Sequence, residues 1–155
     1  MYIKTKYHGT IDIKKEEVFH FSNGIPGFID EKEFVLLLLP ENDLFHILQS
    51  TNTAELGFVV TNPFHFFKDY DFTLDDLTIE QLEKPNEKNI KVLSIVTVKE
   101  PLHKTTTNLQ APIVMNLANN KAKQIILNHT AYQTKHHIFA QPQNQVRRDN
   151  HARTN

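Results

Sequence analysis

A chain of 155 residues is one domain's worth of sequence, and folding at that length buries roughly two-thirds of the unfolded surface without cross-links. The absence of cysteine excludes disulfides and thiolate metal sites. A formal net charge of −1 argues against a protein that grips a polyanion, because phosphate contacts call for a basic excess. Phenylalanine and β-branched residues are plentiful and glycine is scarce, a composition suited to strands.

The segment Met1-Tyr2-Ile3-Lys4-Thr5-Lys6 alternates apolar and polar residues and leads into no long apolar run. It reads as a strand through Tyr7 rather than as a signal peptide. With Val35 to Leu39 as the longest aliphatic run, far short of the roughly 20 residues that span a bilayer, the chain is expected to be soluble and cytoplasmic. His8-Gly9 turns into a second strand, Thr10 to Ile13, and Phe19 and Phe21 flank His20 in a third alternation. Ser22-Asn23-Gly24-Ile25-Pro26-Gly27-Phe28 is the strongest turn punctuation in the chain. Its Pro-Gly pair suits the two central positions of a type II turn.

Phe34 to Leu39, stopped by Pro40, predicts a strand buried on both faces. Leu44 to Gln49 and Leu56 to Thr61 follow, with Pro63 ending the second. Phe64, Phe66, Phe67, Tyr70 and Phe72 then form an aromatic belt, read as part of a strand with Asp69 and Asp71 on one face. One short helix is predicted from about Asp75 to Glu83, with Thr78 and Gln81 as a capping box and Leu77 and Leu82 as a hydrophobic staple. Ile90 to Val98 is a central strand, apolar on both faces. Thr105 to Asn116, Lys123 to Leu127 and Tyr132 to Phe139 complete the set, with a hairpin turn at Asn119-Asn120.

About ten short strands and one helix predict a mainly β fold, a closed or nearly closed antiparallel β-barrel spanning residues 1–140. A two-sheet β-sandwich is the alternative. From Gln141 to Asn155 the composition turns to Gln, Asn, Arg and His, which predicts a flexible polar tail dispensable for folding.

The search for chemistry yields no enzyme. His136 and His137 are adjacent, so on a strand they face opposite ways and share no ion. Asp69, Asp71, Asp75 and Asp76 cluster in sequence, but no nucleophile or oxyanion hole accompanies them. Gly24 and Gly27 precede no phosphate-binding lysine or helix. No catalytic residue, metal site or cofactor site is expected.

Three blocks carry a family resemblance. Asn23 to Phe28 resembles the Gly-Leu/Ile-Pro-Gly-Phe signature of the flagellar assembly factor FliW family. Leu48-Gln49-Ser50, Phe58-Val59-Val60, Asn62-Pro63 and Tyr70 are similar to its middle pattern. Asn108 to Asn116, with Gln124 to Leu127 and Tyr132, is similar to its third block. The resemblance covers about residues 1–140 and implies a non-enzymatic protein that binds flagellin in the cytoplasm. When free it would bind the translational regulator CsrA and antagonise its repression of flagellin synthesis.

Pro26-Gly27 and Asn108 to Pro112 are read first as shaping turns and bends, and only second as contacts. The acidic face Asp69, Asp71, Asp75, Asp76 and Glu80 is the expected CsrA contact. An apolar patch of Phe67, Tyr70, Pro101 and Leu102 is the expected flagellin contact, since aromatics that reach a surface often anchor interfaces. Competing readings are a nucleic-acid-binding barrel that uses Arg147, Arg148 and Arg153, and a small-ligand barrel.

Overall fold

A computed structural model of the chain describes residues 1–141; the predicted tail, apart from Gln141, lies outside the described residues. Eleven strands and one α-helix are present among the described residues. Strands β1 (Tyr2–Lys4) and β2 (Thr10–Asp12) make a separate hairpin. The main sheet holds β3 (Val18–His20), β4 (Glu33–Leu39), β5 (Asn42–Ser50), β6 (Gly57–Thr61), β7 (Ile90–Thr97), β8 (Thr106–Thr107), β9 (Ile113–Asn116), β10 (Lys121–Gln124) and β11 (His136–His137). The helix α1 spans Asp76–Gln81.

The sheet curls until its hydrogen bonds run in a ring through seven strands, β3–β4–β5–β6–β7–β9–β10 and back to β3. All pairs are antiparallel except the last. There β10 meets β3 in parallel through one residue pair, Lys121 with His20, and the His20 N–H donates to the Asn120 carbonyl at 2.8 Å. The observed form is therefore one large, strongly curled sheet ringed by hydrogen bonds, close to the expected barrel without formally being one, with a small separate sheet beside it.

Inside the ring lie Phe21, Ile25, Phe34, Leu48, Val60, Leu93, Ile113 and Met115, all buried. The outer wall is covered twice. On one side Val35 and Val18 pack under Ile3 and Ile13 of the β1–β2 segment. On the other, Val114 and Ile125 pack with Tyr70, Leu82 and Leu109. This double covering is why β4 and β7 read as apolar on both faces: Phe34 and Leu93 point inward, while Val35 and Val92 point to the outer layers. The covering of β4 stops short, since Leu38 is 71% exposed.

The turn block behaves as predicted. Gly27 has φ +88°, as the third position of a type II turn requires, and the Phe28 N–H donates to the Ile25 carbonyl at 2.6 Å. Gly24 is more constrained: its φ is +66°, and a Cβ there would sit 2.5 Å from the Ile29 carbonyl oxygen.

Other signature residues also prove structural. The side-chain amide of buried Gln49 donates to the Thr53, Ala54 and Leu56 carbonyls, and its oxygen accepts from the Lys6 N–H at 2.9 Å. One residue thus shapes the β5–β6 loop and pins the N-terminal hairpin. The Asn108 carboxamide accepts from the Gln110 and Ala111 N–H groups, making a bend that ends at Pro112, directly before β9.

Five expectations need correction. The strand expected over Lys123 to Leu127 is β10, Lys121–Gln124, and it ends before Ile125. Thr105 to Asn116 is two strands rather than one, because the Asn108 bend interrupts the ladder. Tyr132 to Phe139 pairs only at His136–His137. The aromatic belt is no strand: Asn62 caps a 3-10 turn at Pro63–His65, and a further turn carries the Tyr70 N–H to the Phe67 carbonyl. Finally, the helix starts on Asp75, whose carboxylate accepts from the Thr78 N–H at 2.8 Å. Thr78 is buried inside the first turn, and the proposed staple fails because Leu77 is exposed while Leu82 is buried.

The two glycines separate strain from space. Both Gly24→Ala and Gly27→Ala place alanine in the left-handed region, at about 1–2 kcal/mol. Only at position 24 does the new methyl also meet backbone. Urea unfolding should show the larger loss for Gly24→Ala; equal losses would mean that the 22–29 loop yields to admit the methyl.

Candidate functional site

The five acidic residues expected to form one face are divided by the fold. Asp71 and Asp75 line one cleft of about 560 Å³ together with Phe72, Ile126 and Asn128. Asp71 also walls a second cleft of about 520 Å³, shared with Phe64, Glu87 and Lys91. Glu80 lies in a third, with Glu83, Lys121 and Lys123. Asp69 and Asp76 are exposed and line none of these clefts.

Their electrostatic roles differ. The side chain and N–H of Thr78 hold the Asp75 carboxyl below the usual carboxylate range, with Lys123 adding to the effect. Asp75 is therefore an anion committed to capping α1. Glu83 is likewise held low by Lys121, its ion-pair partner at 2.9 Å, and by Asn119, so its charge is locally neutralised. Asp71 is different. Its backbone N–H donates to the Tyr132 hydroxyl at 3.0 Å, while its carboxylate has no ion-pair partner among the described residues. Like Asp69, Asp76 and Glu80, which also lack an ion-pair partner among the described residues, it is free to meet a cation.

Apolar surface adjoins this acid. Ile126 is 59% exposed and Phe64 is 40% exposed. Ile126 and Glu87 come from segments separate from Asp71 along the chain, and Phe64, read as part of the aromatic belt, was not expected to stand at the surface. Ile126 lies past the end of β10 between buried Ile125 and Leu127, whose N–H groups donate to the Pro112 and Gln110 carbonyls, and it is left facing outward.

The expected apolar patch does not assemble as one surface. Tyr70 is buried, its hydroxyl donates to the Leu109 carbonyl at 2.7 Å, and burial beside Tyr132 raises its pKa well above the ordinary phenol value. It is a core residue because the chain turns at Phe67–Tyr70 and aims the ring at Phe72 and Tyr132, 5.4 and 4.7 Å away between centroids. Phe67 is half-buried against the His136 ring. Pro101 and Leu102 are exposed, Leu102 at 52%, on a loop that closes in a 3-10 turn at Leu102–Lys104.

Among the described residues no three His, Asp or Glu side chains come together as a metal-binding group. His136 and His137 do diverge: the His136 Nε2 accepts from the Gln133 N–H, and burial lowers its pKa, whereas His137 is exposed. No helix of the described residues is long and apolar enough to cross a membrane.

Comparison with known proteins matches residues 2–138 to the family described as FliW protein. A flagellar assembly factor FliW of Bacillus pumilus (strain SAFR-032) is 52% identical over 136 residues, 88% of this chain and 94% of that protein. The flagellar assembly factor FliW of Bacillus subtilis (strain 168) is 48% identical over 138 residues, 89% of this chain and 96% of that one. A crystal structure of the flagellar assembly factor FliW superposes with a TM-score of 0.88 at 48% identity, covering 92% of this chain and 99% of that one.

The Tyr70 hydroxyl is the sharpest test of the core reading. Tyr70→Phe leaves the Leu109 carbonyl without its buried donor and should cost about 1–2 kcal/mol in chemical unfolding. A neutral outcome would mean that water reaches this carbonyl and that Tyr70 lies nearer the surface than described.

Proposed function

The chain belongs to the FliW family, and from that footing we propose that it is a non-enzymatic flagellar assembly factor that binds flagellin and, when free, a CsrA-like translational regulator. Binding of the regulator would relieve repression of flagellin synthesis, and newly made flagellin would occupy the factor in the cytoplasm until export releases it. Production would thereby follow secretion. The observation that carries the regulator half is the acidic and apolar surface around Asp71, where an unpaired carboxylate adjoins Asp75, Glu87, Phe64 and Ile126. Carboxylates that outnumber the one lysine, Lys91, beside exposed apolar groups suit a protein partner with a basic surface, with the charges guiding encounter and the apolar groups slowing release.

The test must separate charge from helix capping. Asp71→Lys and Asp76→Lys reverse exposed charges, whereas Asp75→Asn removes a charge yet keeps a capping oxygen. A triple variant of these three should associate with a CsrA-like protein about ten-fold or more slowly at low salt, with its melting temperature maintained. An unchanged association rate removes the acidic surface from the proposal.

For flagellin, the exposed corner at Pro101 and Leu102, with Val98 49% exposed nearby in sequence, keeps its place as the candidate anchor; Tyr70 does not. Leu102 belongs to none of the three core clusters, so Leu102→Lys should leave the fold intact. One buried aliphatic anchor is worth about 1.5–3 kcal/mol, so flagellin affinity should fall roughly ten- to a hundredfold. Full affinity in a folded Leu102→Lys variant places flagellin elsewhere.

A further inference from the structure

A cleft of about 670 Å³ shares no lining residue with the acidic clefts, and its charge is opposite. Three lysines from three separate segments line it: Lys99 just after β7, Lys104 in the 3-10 turn and Lys135 just before β11. His103 and His137 add two imidazoles, and Glu100 is the one carboxylate. None of the three lysines has an ion-pair partner among the described residues. Set against the single carboxylate, they make the cleft a local concentration of cations.

The cleft is also held in shape by bonds that a mere surface dent would lack. The Lys99 N–H donates to the hydroxyl of buried Thr105 at 3.0 Å, fixing the loop at its base. The Gln141 amide donates to the His103 and Phe139 carbonyls, both at 2.8 Å, and ties the loop to the chain beyond β11. The floor is the Thr106–His137 pair of the β8–β11 ladder.

We infer that this cleft is a docking site for an acidic peptide segment of a partner protein. Charge complementarity selects an anionic occupant. It excludes the chain's own C-terminal sequence, where Arg147, Arg148 and Arg153 outweigh Asp149. The volume falls in the range of about 300–1,000 Å³ typical of sites for sizeable ligands, well beyond one oxyanion. The lining carries no arginine, the side chain best fitted to fork onto phosphate, and no phenylalanine or tyrosine on which a base would stack. A carboxylate-bearing peptide, whose separated charges meet separated lysines, fits better than a nucleic acid.

The test uses the full chain and a fluorescein-labelled peptide of alternating glutamate and leucine, read by fluorescence anisotropy at low salt. Neither flagellin nor a CsrA-like protein is involved, so the outcome is independent of the function proposed above. The peptide should bind, and the triple variant Lys99→Glu, Lys104→Glu, Lys135→Glu should bind at least ten-fold more weakly. A control triple of equal charge change, Lys14→Glu, Lys15→Glu, Lys32→Glu, should bind as the parent does. The inference is overturned if the peptide fails to bind, if both triples lose affinity equally, or if the cleft triple binds normally. It is also overturned if single-stranded oligouridylate or inorganic phosphate displaces the peptide from the parent more effectively than unlabelled peptide. The three lysines are exposed, so folding should survive reversal. Should the variant melt early, Lys→Gln at the same positions must show a loss of the same direction.

Discussion

Along one edge of β7, Leu93 faces Ile113 of β9, while Val96, three residues on, faces Thr107 of β8. Two strands share that edge because the Asn108 carboxamide draws the Gln110 and Ala111 N–H groups into a bend, and Pro112 returns the chain to the ladder. The rest of the architecture depends on this fork. β9 pairs with β10, which reaches β3 and closes the ring, whereas β8 pairs only outward with β11. A straight strand from Thr105 to Asn116 could not serve both branches.

The fork also distributes the chemistry. The branch through β10 leads into Ile125–Thr130, which walls the acidic cleft beside Asp71 and Asp75. The branch through β11 supplies Lys135 and His137 to the basic cleft. Opposite charges thus sit on different branches of one sheet, each beside exposed aliphatic groups, Ile126 for one and Leu102 in the loop of the other. Two chemically distinct surfaces arise on one curled sheet.

Much of this was legible in the sequence, and the reasons are specific. Strands apolar on both faces, Phe34 to Leu39 and Ile90 to Val98, announced a sheet covered outside as well as filled inside. Gly27 and Asn120 announced turns through their need for positive φ. What escaped was set by competition between neighbours. Asp75 and Thr78 both suit a helix start, and only the burial of Thr78 decides for Asp75. The belt from Phe64 to Phe72 alternates well enough to imitate a strand, but Asn62 and Pro63 begin a 3-10 turn and the rings scatter toward different partners. The surface that joins Asp71 to Ile126 and Asn128 forms from segments that touch only after folding. The family signatures, by contrast, are now explained by the backbone they shape: Gly24, Gln49 and Asn108 serve turns and loops before they serve any partner.

The central proposal is that a CsrA-like regulator is recognised on the acidic and apolar surface of the β10 branch. Hydrogen–deuterium exchange, followed by mass spectrometry on the full chain with and without a CsrA-like protein, tests it most directly. Complex formation should slow exchange across residues 69–80 and 125–130 and leave the 99–104 loop unchanged. Protection confined to the 99–104 loop and residues 135–141, with 69–80 exchanging as in the free chain, would contradict the account.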